Sequence, residues 1–285
     1  MSIAGRAGKL AISGDAGESR WHRHEDLLTA DVFGAYRYLP PRVGVLPFLC
    51  GARAADGTSL ADALARESIS LDELTCCEIA FWPSLEGKEP DILVLVGGSP
   101  DSHRVAVLVE VKLHAEQHEI GGISQLGFYA RAHSAGTYEG FDEPLPLIRP
   151  VVYVTRHHDL PAAELARAEG ELAYMNAPGG GPRIFWTNWT AALEHAAGEW
   201  SARKGTVPAE PWWKILEDLV DDIEARGFFL PRDQRTFPLP PLPPLDPRPL
   251  SGLRRVTAPA TPRRPLPASM QLDDIDGALR RWRIA

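Results

Sequence analysis

The chain has 285 residues, 44% hydrophobic and 24% charged, with a formal net charge of -8. That length and balance are ordinary for a globular chain of one large domain or a domain with appendages. The acidic balance argues against a broad basic surface for nucleic acid and leaves local positive patches, bound cations or a partner to hold such a substrate. No apolar run reaches membrane-spanning length, and the start lacks a signal-peptide core. The three cysteines, Cys50, Cys76 and Cys77, form no Cys-x-x-Cys pattern and read as reduced thiols of a cytoplasmic protein.

Residues 1–19 are rich in Gly, Ala and Ser and are expected to form a flexible N-terminus. From Glu25 to Leu39 the apolar positions Leu28, Val32, Phe33, Tyr36 and Leu39 recur at helical spacing, and Pro40-Pro41 ends the helix. Residues 42–57 read as irregular and Leu60 to Ser68 as a short helix. Thr75 to Trp82 reads as a strand with Cys77, Ile79 and Phe81 on one face. Asp91 to Val96 and Arg104 to Lys112 read as a hairpin of two buried strands joined by Gly97-Gly98-Ser99-Pro100-Asp101.

Residues 115–134 read as a helix whose start is broken or delayed at Gly121-Gly122. A strand from Leu147 to Thr155, interrupted at Pro150, a helix from Pro161 to Met175 and a strand from Arg183 to Trp189 follow. Helices are expected over Thr190–Trp200 and Glu210–Arg226. This order predicts an α/β sandwich with a mixed central β-sheet flanked by helices, plus C-terminal helices. Pro238 to Pro267 favours polyproline II and cannot build a core, and Asp273 to Trp282 suits a short terminal helix. The expected organisation is a flexible segment 1–19, a domain over 20–230, and a proline-rich tail over 231–285 that docks on a protein partner or a second copy, or else is a disordered tail or a strap across the chain's own surface.

The chemistry gathers at one end of the hairpin. Strand side chains alternate with period two, so Glu110 and Lys112 share a face and Val111 takes the other. In an antiparallel pair the start of one strand lies beside the end of the other, which brings Asp91 to Glu110 and Lys112. Two acids and a lysine at the end of apolar strands are costly unless they bind something, and a divalent metal is the simplest candidate. The plain alternative is that Asp91 caps a strand end while Glu110 and Lys112 form an exposed ion pair. His114 and His118, four apart on the expected helix, suit metal ligation but read better as a solvated face. His157-His158 reads as a loop.

Pro90-Asp91, two apolar strands, and Glu110-Val111-Lys112 resemble the signature of the PD-(D/E)XK nuclease superfamily, whose core is the restriction-endonuclease-like fold. Gln125 and Tyr129 match the Q-x-x-x-Y element of its exonuclease-like branch, and Glu25 stands where the superfamily often carries a further acid near a first helix. The resemblance spans roughly residues 20 to 190. It implies a Mg²⁺- or Mn²⁺-dependent nuclease that hydrolyses phosphodiester bonds, DNA before RNA. Asp91 and Glu110 would hold the metal, with the Val111 carbonyl as a further ligand and Glu25 reaching it directly or through water. Lys112 would orient or deprotonate the attacking water, or stabilise developing charge. Gln125 and Tyr129 would stand near the active site and help hold the DNA or the surroundings of the catalytic lysine. The acidic balance and the tail suggest a subunit of a restriction or anti-phage defence system. The competing reading is a non-catalytic scaffold that uses the same fold.

Overall fold

The computed structural model describes residues 18–99, 102–113, 119–136, 138–141, 145–174, 183–203 and 212–230. The chain divides into two units, Met1–Thr236 and Phe237–Ala285, and every described residue belongs to the first. The Pro238–Pro267 run, the Asp273–Trp282 helix, and His114 and His118 lie outside the described residues.

In chain order the elements are α1 (Glu18–Tyr36), α2 (Val45–Cys50), α3 (Leu60–Arg66), β1 (Cys76–Phe81), β2 (Ser84–Leu85), β3 (Ile92–Ser99) and β4 (Ser102–Lys112). There follow β5 (Glu119–Ile120), β6 (Ile123–Ser124), α4 (Gln125–Ala135), β7 (Tyr138–Glu139), β8 (Val151–Thr155), α5 (Ala162–Tyr174), β9 (Ile184–Asn188), α6 (Trp189–Arg203) and α7 (Trp213–Ala225). Among the described residues no helix is long and apolar enough to cross a membrane.

The fold is α/β, built on a mixed five-stranded sheet in the order β1-β3-β4-β8-β9. β1, β3 and β4 form an antiparallel meander, while β8 and β9 add in parallel, each reached through a crossover helix. The register sets Ile92 against Val109 and Leu93 against Leu108. Asp91 therefore stands one step beyond the last paired residues, opposite Glu110. Ile92–Val96 and Val105–Val111 are buried throughout, as expected of strands covered on both faces. The hairpin shifts register at Gly97, where a Cβ would collide with the Ser102 carbonyl, so only glycine fits there.

Alternation divides the core into two layers. Leu93, Leu95, Ala106 and Leu108 face α4 and α5, meeting Leu126, Tyr129, Leu165, Ala168 and Leu172. On the same strands Asp91, Glu110 and Lys112 continue that face, so the polar cluster emerges at the rim of the α4 layer. A second aromatic group joins α1, α2 and α6: Phe48 and Trp189 stack with centroids 6.5 Å apart, and Phe33 and Tyr36 meet edge to face at 5.9 Å. Asp31 of α1 pairs with Arg226 just after α7.

Several expectations need revision. Residues 45–50 are helical, with Val45, Leu46, Phe48, Leu49 and Cys50 buried, because Pro47 falls in the first turn, where the missing N–H breaks no bond. The expected helix over 115–134 begins only at Gln125. Before it Gly121 and Gly122, with φ of 62° and 84°, turn a small β5–β6 hairpin. Leu147 lies outside β8 at 94% exposure, since only Ile148 bridges to Val105 there. The last strand ends at Asn188, whose side chain accepts the Ala191 N–H at 2.8 Å and starts α6, so Trp189 is helical and fully buried.

Candidate active site

Glu25 comes from α1, Asp91 from the residue before β3, Glu110 and Lys112 from the end of β4, and Gln125 and Tyr129 from the first turns of α4. The hydrogen bonds join them into one cluster. Asp91 Oδ2 accepts the Val111 N–H at 2.8 Å, and Glu25 Oε2 accepts the Leu113 N–H at 2.7 Å. Two carboxylates thus hold the backbone at the end of β4. Glu110 Oε1 accepts from Lys112 Nζ and from Gln125 Nε2, both at 2.8 Å. Lys112 Nζ also stands 3.8 Å from Glu25 Oε1. The Asp91 backbone is held as well, its carbonyl accepting the Trp82 N–H at 2.9 Å.

The Glu110–Lys112 pair is not an exposed ion pair: the two side chains are 4% and 12% exposed. Burial and the charge of Glu110 hold the Asp91 carboxyl well above the usual carboxylate range, against the pull of Lys112 and the Val111 N–H. Burial also raises Glu110, although Lys112 opposes it. For Lys112, burial pulls downward but the three carboxylates together prevail and raise it above the ordinary lysine value. Tyr129, buried and near Glu110, is raised too, so its hydroxyl stays protonated and can donate.

Among the described residues no three His, Cys, Asp or Glu side chains converge as a ready-made metal cage. The Lys112 ammonium stands between Glu110 and Glu25 instead. The donor set nonetheless fits a hard divalent cation. Three carboxylates meet one ammonium, and each takes its hydrogen bonds through one oxygen: Oδ2 of Asp91, Oε1 of Glu110 and Oε2 of Glu25. An uncompensated negative charge in a buried site is the condition that Mg²⁺ or Mn²⁺ relieves.

All the sequence-derived candidates except the Val111 carbonyl enter this cluster through side chains; Val111 contributes its N–H to Asp91. Asp31 does not belong to it, being engaged by Arg226. One supporting residue escaped the sequence reading. Glu171 of α5 accepts the Ser124 hydroxyl at 2.5 Å and the Ser124 N–H at 3.0 Å, and Arg167 braces it at 3.0 Å. Ser124 in turn caps α4 by accepting the Gly127 N–H at 3.1 Å. Glu171 thereby sets the helix start from which Gln125 reaches Glu110. A Cβ at residue 127 would meet the Glu171 carboxylate and displace it from Ser124. Trp186 packs rather than stacks on a ligand, its indole donating to Thr155 Oγ1 at 2.8 Å.

Compared with known protein families, curated proteins and solved structures, the chain matches none.

Proposed function

We propose that the chain is a metal-dependent nuclease of the restriction-endonuclease-like fold, hydrolysing phosphodiester bonds in DNA. The observation that carries this reading is the bonded cluster of Glu25, Asp91, Glu110, Lys112 and Gln125 at one sheet end. Support for the fold comes from the succession of a first helix, an antiparallel meander, a second helix and a parallel strand.

In this reading Asp91 and Glu110 hold Mg²⁺ or Mn²⁺, with Glu25 adding a carboxylate at the edge. The cation supplies charge neutralisation at the phosphate and makes water a stronger nucleophile at neutral pH. Lys112, surrounded by carboxylates, remains an ammonium and stabilises the negative charge that develops on the phosphate. Gln125 keeps Glu110 in one rotamer, and Tyr129 places a protonated hydroxyl beside the same carboxylate. The neighbours Leu108, Leu113 and Leu126 are buried and apolar, which lowers the local dielectric and strengthens each electrostatic contact.

The test is cleavage of linear and circular DNA by the purified chain with Mg²⁺ or Mn²⁺, wild type beside Asp91→Ala, Glu110→Ala and Lys112→Ala. Cutting by wild type alone supports the nuclease, and linearised circles mark an endonuclease. Undiminished cutting by all three variants would overturn it. Mn²⁺ affinity that Asp91→Ala leaves unchanged would favour a scaffold.

A further inference from the structure

The parallel half of the sheet ends on one side, with Lys112, Thr155 and Asn188 in register across β4, β8 and β9. Ligands of open α/β sheets bind beyond the carboxyl ends of such strands. Val151 to Thr155 are all buried, and the next four residues, Arg156-His157-His158-Asp159, are all exposed. With Leu113, the neighbour of Lys112, these four line a cleft of about 530 Å³. The cleft therefore opens beside the carboxylate cluster, since Leu113 follows Lys112 and its N–H donates to Glu25. Its wall is anchored where it leaves β8. Thr155 is held by the Trp186 indole, and the Arg156 guanidinium lies 5.9 Å over the Phe228 ring.

We infer that this cleft seats the phosphate next to the one that is cut, with Arg156, His157 and His158 as its donors. The inference rests on the nuclease reading and assigns that site its substrate path. An acidic cluster repels the strand it must bind, so the flanking phosphate needs donors close by. A chain of net charge -8 has no general basic surface to provide them. Arg156 offers a planar fork that matches phosphate oxygens. Each imidazole offers at least one N–H whether neutral or charged. Asp159 follows them in the chain and keeps the wall from being uniformly cationic. The shared chemistry is a phosphodiester backbone, whether of DNA or of RNA.

The experiment uses the full chain, with Arg156→Ala and the double substitution His157→Ala/His158→Ala. Affinities for short fluorescein-labelled single strands of DNA and of RNA are read by anisotropy in Ca²⁺ at several salt concentrations, and Mn²⁺ affinity is read separately by calorimetry. The expected result is at least tenfold weaker strand binding by each variant, a salt slope shallower by about 0.7 for the lost Arg156 contact, and unchanged Mn²⁺ affinity. Loss on one polymer alone identifies the substrate; equal loss on both marks recognition of the backbone. Wild-type affinity in the double variant, whose side chains are exposed and make no demand on folding, overturns the inference even if Arg156→Ala is unstable. Absence of strand binding by the wild type overturns it too. The nuclease reading fails separately, on cleavage and Mn²⁺ binding that Glu110→Gln leaves intact.

Discussion

Strand β4 carries two buried polar sites only a few residues apart, and they are built on opposite principles. At Ala106 the carbonyl meets Nε2 of the fully buried His133 at 2.9 Å, while Tyr138 Oη lies 2.7 Å from Nδ1. A carbonyl can only accept, so Nε2 carries the proton and Nδ1 accepts the tyrosine O–H. Every donor has its acceptor and no carboxylate is involved; burial, with the nearby Arg149 guanidinium, lowers His133 to about 4. At residues 110–112 three carboxylates face one ammonium and two of the acids are pushed toward protonation. The first site holds helix to sheet. The second crowds three acids round one ammonium at a cost to the fold, and the proposed cation-dependent chemistry would make use of that crowding.

The contrast can be broken most forcefully at the charged site. Lys112→Ala is expected to lower the cleavage rate about a thousandfold, near the effect of deleting one preorganised donor at a developing charge, with a circular dichroism spectrum like the wild type. Timed DNA cleavage checks it. His133→Ala should do the reverse, costing about 3 kcal/mol of stability through a cavity and an unpaired Tyr138 hydroxyl while sparing the rate per folded molecule. Urea titration reads the first and active-site-normalised kinetics the second.

The same histidine gives a pH signature. Its folded value of about 4 lies below the ordinary 6.5, so its contribution is complete above 6.5 and is lost as pH falls toward 4. Melting temperatures across that window should fall in the wild type and change less in His133→Gln.

Between the two sites stands the positioning of Gln125. Glu171→Ala should reduce kcat by about tenfold to a hundredfold with Mn²⁺ affinity unchanged, and Glu171→Gln, which keeps the acceptor for Ser124, should recover part of it. Equal losses in both variants would mean that Glu171 serves the fold alone.

The smallest expected effect sharpens the charge argument. In metal-free buffer at alkaline pH, Asp91→Asn should stabilise the chain by about 1–2 kcal/mol, because the amide oxygen still accepts the Val111 N–H. Asp91 is raised on folding, so its penalty grows as pH rises from the ordinary carboxylate value through the folded one. The advantage of the amide must therefore shrink on acidification, and thermal unfolding over a pH series measures it.

Much of this was legible in the chain. Continuous apolar runs bounded by turn residues marked β3 and β4, and the antiparallel return through glycines put Asp91 beside Glu110. The four-residue spacing of Gln125 and Tyr129 kept both on one helix face even though the helix starts ten residues later than the sequence pattern suggests. Glu171 was not legible, because its partner Ser124 lies 47 residues away and nothing in an amphipathic helix marks one solvent-side glutamate as a brace. Nor was the role of His133, whose neighbours Ala106 and Tyr138 become neighbours only when α4 lies across the sheet.

By itself the sequence determined what depends on adjacent residues: strand faces, helix spacing, the glycine breaks and the identity of the acids and the lysine at the hairpin end. The tertiary structure alone decided that the acids are buried together, that Lys112 stands between Glu110 and Glu25, and that the Arg156–Asp159 loop opens beside Leu113. Backbone periodicity is a property of local covalent geometry and survives in any segment read alone. Charge state and ligand access depend on which distant surfaces exclude water, and that is settled only when the helices close over the sheet.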